Sequence, residues 1–246
     1  MKFNQFTSKL NYFSTNHLVL IYGILGISLY KVWKYIVSHF FIQDGSSFTY
    51  YEEQIFFTLY RMIASLVGIF LLKKFFRTFK DEWFFGEKKY YISNLFIIIP
   101  LWFLMHYQVN NFSFRPFHFT GELFFNFFTG TFEEIFFRGL ILVGLSQYFA
   151  PLKSTIIASA LFSIWHYDVT HLAGDFINIF LFGVYAGLCY LNGASLFSLI
   201  LFHFLWDQVV FGFGWKSISG GSSDLIIQFI DGFLMVFQLK TKYKAV

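Results

Sequence analysis

This chain is poor in charge and almost without cysteine. Only 13% of its 246 residues are charged, where a soluble domain carries about a quarter. That shortage excludes an ordinary soluble globular protein. The formal net charge of +4 is too small to suggest a nucleic-acid partner. The one cysteine, Cys189, excludes an intramolecular disulfide and a cysteine-based zinc site. There is no Walker loop, no dinucleotide fingerprint, no HExxH and no GxSxG elbow, so Ser195 and Ser198 lack a nucleophile's setting. No tandem repeat or second domain is visible. Lys2 and Lys9 precede an apolar run with no small-residue cleavage site after it, which reads as a retained tail and not a signal peptide.

What the chain has is apolar length. Hydrophobic residues make up 57%, forty of them Phe, and the mean hydropathy is +0.58. This predicts an all-α, polytopic membrane protein: one helical domain over 1–246 without room for a large soluble part. A bilayer core of ~30 Å takes about 20 apolar residues per helix. Candidate spans fall at about 16–40, 55–75, 91–108, 122–149, 152–167, 175–192, 195–213 and 223–239, a bundle of about eight helices. Lys31 and Lys34 interrupt the first. Lys and Arg gather in the 73–89 loop and in the tail at Lys240, Lys242 and Lys244, whereas the 43–54 loop holds Asp44, Glu52 and Glu53. The bias puts both termini on the cytoplasmic side of the cell membrane. Arg61 is expected near the outer end of the second span, where it can snorkel. The Phe, Ile and Lys bias suggests an AT-rich, bacterial genome.

The informative residues are ionisable groups inside the spans. GTFEEIFFRG at 130–139 holds Glu133, Glu134 and Arg138; FSIWH at 162–166 holds His166; HFLWD at 203–207 holds His203 and Asp207. Glu133, Glu134, Arg138 and Asp207 facing lipid would cost about 10–14 kcal/mol together, so they must face one another or a wet cavity. Glu134 and Arg138, four apart, share a helix face and can pair; Glu133 points elsewhere. His203 and Asp207 have the same spacing, which serves either to fix a histidine tautomer or to aim two ligands at a metal. Gly183 and Gly187 in FLFGVYAG have the spacing that lets helices approach closely. His17, His39, His106, His118 and His171 fall at helix ends or loops, Asp168 and Asp175 fall near the outer surface, and Glu122 suits a helix N-terminus. At about 1.5 Å per residue Glu133, His203 and Asp207 lie near mid-membrane, and His166 nearer the outer surface.

In this order, EEIFFR, FSIWH, a glycine-containing helix and HFLWD resemble the CAAX prenyl endopeptidase and bacteriocin-processing family, over residues 120–210. The resemblance implies an eight-helix intramembrane endopeptidase whose catalytic residues are Glu133, Glu134, Arg138, His166, His203 and Asp207. Glu133 and His166 would activate a water, Glu134 and Arg138 would orient and charge-balance the site, and His203 with Asp207 would stabilise the oxyanion. Many members have Asn where this chain has Asp207, and an ionised Asp cannot donate a hydrogen bond; it is then left to orient His203. A divalent metal such as zinc stays open, with Glu133, His166, His203 and Asp207 as its ligands. The implied partners are the lipid bilayer and a peptide or membrane-protein substrate, in peptide maturation or bacteriocin self-immunity. Two other readings fit parts of the pattern: a non-catalytic immunity or scaffold protein, and an ion or proton transporter, whose polar groups would be spread across depths.

Overall fold

A computed structural model describes residues 16–39, 50–75, 116–167 and 173–208, and these are helical with no strand among them. Helix α1 is Asn16–Val37 and α2 is Tyr50–Phe75. Helix α3, Pro116–Glu133, runs on as a π-helical stretch, Glu134–Leu142, and a final α-turn, Val143–Leu145. Helices α4, α5 and α6 are Pro151–Trp165, Ala173–Leu191 and Leu196–Asp207.

Local sequence accounts for several boundaries. Pro151 opens α4 from an extended Ala150, as its fixed φ and missing N–H allow. Ser195 caps α6, its side chain accepting from Ser198 N at 3.0 Å. Serine thus has a capping role here. Glu52 and Glu53, expected in a loop, sit in the first turn of α2, where the helix dipole favours acids; Lys73 and Lys74 sit in its last. Between α5 and α6, Ala194 N donates to Cys189 O at 2.9 Å and Gly193 N to Tyr190 O at 3.0 Å. This is a Schellman closure, and it needs Gly193 at φ 101°. Gly193→Ala is expected to cost about 1–2 kcal/mol and to lower the thermal midpoint in detergent.

The π stretch is the axis of the bundle, and all nine of its residues are buried. Glycines show how neighbours cross it. A Cβ on Gly26 would overlap the Phe136 ring, one on Gly23 would lie 2.7 Å from Ile141 Cγ1, and one on Gly144 would lie 2.9 Å from Leu20 Cβ. Helix α1 is therefore antiparallel to the π stretch. Gly68 faces Ile135 and Gly139 faces Leu72, so α2 runs parallel to it. Gly130 faces Phe204 and Gly139 faces Leu196, so α6 is antiparallel. The GxxxG pair has the expected role: Cβ atoms on Gly183 and Gly187 would come 3.0 Å from Ser159 Cβ and 2.9 Å from Thr155 Cγ2, setting α5 against α4.

Outer faces of α1 and α2 are apolar and uncovered; Ile63, Leu66 and Phe70 are 64%, 68% and 63% exposed. A continuous apolar face of this kind suits lipid. His17–Val37 and Glu52–Lys74 are long and apolar enough to cross a membrane, while α4, α6 and Phe176–Leu191 of α5 are shorter apolar helices. Two of the described helices thus meet both the length and the apolarity of a span. The expected spans at 91–108 and 223–239, most of the basic loop and both tails lie outside the described residues.

Candidate functional site

Four elements supply the site: the end of α3, the start of the π stretch, the end of α4 and the end of α6. The helix changes from α to π between Glu133 and Glu134. π turns are rare and concentrate at functional sites.

Glu134 is the hub. Its Oε1 accepts from Arg138 Nη1 at 2.8 Å and from His203 Nδ1 at 2.8 Å. Glu134 and Arg138 are both buried. The Arg138 guanidinium lies 4.5 Å from the Phe162 ring centre and 5.7 Å from that of Phe182. The pair is thus enclosed beside aromatic rings, where a hydrogen bond is stronger than in water. Asp207 stands beside His203 at ion-pair distance but is not its hydrogen-bond partner. Its Oδ2 is 3.7 Å from His203 Nε2, beyond a hydrogen bond, and it is Glu134 that fixes the ring through Nδ1.

His166 is fixed by a different acceptor. It caps the C-terminus of α4, and its Nδ1 lies 2.8 Å from Phe162 O. A carbonyl only accepts, so Nδ1 carries the hydrogen and Nε2 is left to face the site. This resolves the apparent mismatch in depth. Although His166 is beyond the last residue of α4, its side chain turns back toward Glu133.

Glu133 Oε2 lies between the two imidazoles, 3.4 Å from His166 Nε2 and 3.6 Å from His203 Nε2. It is buried without a hydrogen-bond partner. The six sequence-predicted residues therefore come together: Glu134 holds His203 at Nδ1, Glu133 and Asp207 lie 3.6 and 3.7 Å from its Nε2, and His166 faces Glu133. His166 is the most open of them, its side chain 17% exposed against 3% for that of Glu133. The donors are of the kind zinc takes, two imidazoles and two carboxylates. However, no three His, Cys, Asp or Glu side chains among the described residues close around one point as metal ligands do.

Other expectations are revised. Glu122 is not at a helix start; it lies six residues into α3 and is 2% exposed. Beside it Asn126 Nδ2 donates to Gln208 Oε1 at 3.0 Å, tying α3 to the end of α6. Arg61 does not snorkel. Because α2 begins at Tyr50, Arg61 lies about 16 Å along the helix, and its Nη2 donates inward to the Tyr30 hydroxyl at 2.7 Å. Tyr30 was missed in the sequence; the one feature that could have flagged it is that Lys31, Lys34 and Arg61 are cations inside otherwise apolar helices, which need partners there. His17 pairs with the Tyr148 hydroxyl, away from the site. The positions of His106, Asp168 and His171 lie outside the described residues.

Residues 115–209 match the family model described as type II CAAX prenyl endopeptidase Rce1-like, in agreement with the resemblance carried by the motifs. The matched stretch holds α3 to α6 and all six site residues, and leaves α1 and α2 outside it. The match supports a membrane protein with protease chemistry and says nothing of a bacteriocin role. No curated protein and no solved structure matches the chain.

Proposed function

We propose that the chain is a multi-pass intramembrane endopeptidase that hydrolyses a peptide or membrane-protein substrate with a water activated by Glu133 and His166. The observation that supports this most directly is the placement of one orphaned carboxylate oxygen, Glu133 Oε2, between two imidazole Nε2 atoms whose opposite nitrogens are already committed. In each ring the Nδ1 hydrogen is held by a fixed acceptor, so each turns its Nε2 inward.

Glu133, as base, takes a proton from water while His166 Nε2 holds that water by its other hydrogen. The oxygen attacks the peptide carbonyl, and the carbonyl π bond becomes the oxyanion of a tetrahedral intermediate. His203, carrying hydrogens on both nitrogens and held by Glu134, donates from Nε2 to that oxyanion. On collapse the C–N bond breaks, and the amine leaves with the proton Glu133 had taken. Arg138 does not touch substrate; it keeps Glu134 an acceptor, and Glu134 keeps His203 aimed. The dry ring cage strengthens each of these interactions.

Asp207 does not donate in its ionised form. Asp207→Asn is therefore expected to keep or raise the initial rate of peptide cleavage, because the amide adds a donor beside His203. A strong loss on this change would show that the Asp207 carboxylate itself takes part. The test of the function is cleavage of apolar peptides by the purified chain in lipid nanodiscs, with products read by mass spectrometry. Products from the wild type and none from Glu133→Gln support the reading; equal cleavage by both removes it.

A further inference from the structure

Three cations interrupt the apolar helices that lie outside the matched stretch: Lys31 and Lys34 on α1 and Arg61 on α2. Two of them are gathered beside the site. The Arg61 guanidinium lies 5.1 Å from the centre of the Tyr30 ring, and Lys31 Nζ lies 4.8 Å from that of Trp165. Tyr30 in turn packs on Phe132 at 5.3 Å and on Trp165 at 5.4 Å between ring centres. Phe132 and Trp165 immediately precede Glu133 and His166. The cations therefore flank the His166 side of the site, which is its more exposed edge.

Arg61 is incompletely satisfied. Nη2 is held by Tyr30, but Nε is buried and has no hydrogen-bond partner. An unpaired buried donor on a charged group is unfavourable in the empty protein and is favourable again once an acceptor arrives. A guanidinium edge matches a planar oxyanion. Lipid phosphate is the wrong source: about 16 Å along α2, Arg61 is near the middle of a ~30 Å core. A peptide, by contrast, carries carboxylates at its C-terminus and on Asp and Glu side chains.

We propose that Arg61, held by Tyr30 and flanked by Lys31, is a specificity-determining residue that binds a carboxylate of the substrate and so fixes the scissile bond against Glu133 and His166. This rests on the hydrolase reading. It gives α1 and α2 a part in the site, and it makes an apolar peptide with one nearby carboxylate the preferred substrate.

The probe is one fluorescent apolar peptide in three forms: with a free C-terminal carboxylate, with a C-terminal amide, and with a C-terminal amide plus one internal Glu. Binding and cleavage are measured with the full chain in phosphatidylcholine nanodiscs. At least one carboxylate form is expected to bind about 10- to 100-fold more tightly than the uncharged amide, and the form preferred identifies the source of the group. Arg61→Gln should bring that preference close to one, with the change in KM and not in kcat, and Arg61→Lys should keep part of it. Tyr30→Phe, which removes only the hydroxyl that holds the guanidinium, should weaken the preference. Equal binding of all three forms by the wild type overturns the proposal, as does a preference unchanged in Arg61→Gln. Binding is read apart from cleavage, so the two readings fail separately. A carboxylate preference without products removes only the hydrolase; products without a preference remove only the role of Arg61.

Discussion

Glu133→Gln is expected to cut peptide hydrolysis by about 10²–10⁴-fold, the range for removing a general base. The change keeps the size of the side chain and its place between the imidazoles. Glu133 Oε2 has no hydrogen-bond partner to lose, and the hub of Glu134, Arg138 and His203 does not depend on it. The fold should therefore survive, with thermal unfolding in detergent close to that of the wild type and substrate binding retained. A purely structural Glu133 would give the opposite pattern, with a lowered midpoint and activity falling only in proportion to unfolded protein.

Glu134→Leu should behave differently. It leaves the Arg138 charge buried without its carboxylate, which costs about 3–5 kcal/mol when one member of a buried ion pair is removed. Against a total stability of about 5–15 kcal/mol that is a large share. The midpoint should drop sharply and activity should vanish, since His203 loses the acceptor on Nδ1. Pairing this change with Arg138→Met tests the cause. Replacing both ions by apolar groups of similar volume is often close to neutral, so the double variant should recover most of the lost stability. It should remain inactive, because nothing then aims His203. Recovery of activity along with stability would show that the hub only holds helices together.

Much of this site was legible as motif. A glutamate pair with an arginine four residues on, and histidines in two later apolar runs, could not all face lipid, and spacing gave the Glu134–Arg138 pair directly. The GxxxG contact at Gly183 and Gly187 was legible for the same reason, since it depends on local repeat alone. What could not be read depended on long-range partners. The ring of His203 is held by a hydrogen bond to Glu134, 69 residues away, and not by one to Asp207, four residues away. Arg61 looked like a snorkelling end residue because its partner, Tyr30, lies 31 residues earlier on another helix. The π stretch was invisible because the side-chain pattern of residues 134–142, with Glu134 and Arg138 four apart on one face, suits an ordinary α-helix equally well. His166 seemed too shallow because rise per residue places a Cα atom, and its ring reaches back from the helix end.

Cleavage run in ¹⁸O-labelled water tests most directly whether Glu133 and His166 deliver a water to a peptide bond. The wild-type chain should yield products whose new C-terminal carboxyl carries the label, and Glu133→Gln should yield almost none. Unlabelled products, or labelled products formed equally by the variant, would contradict the account.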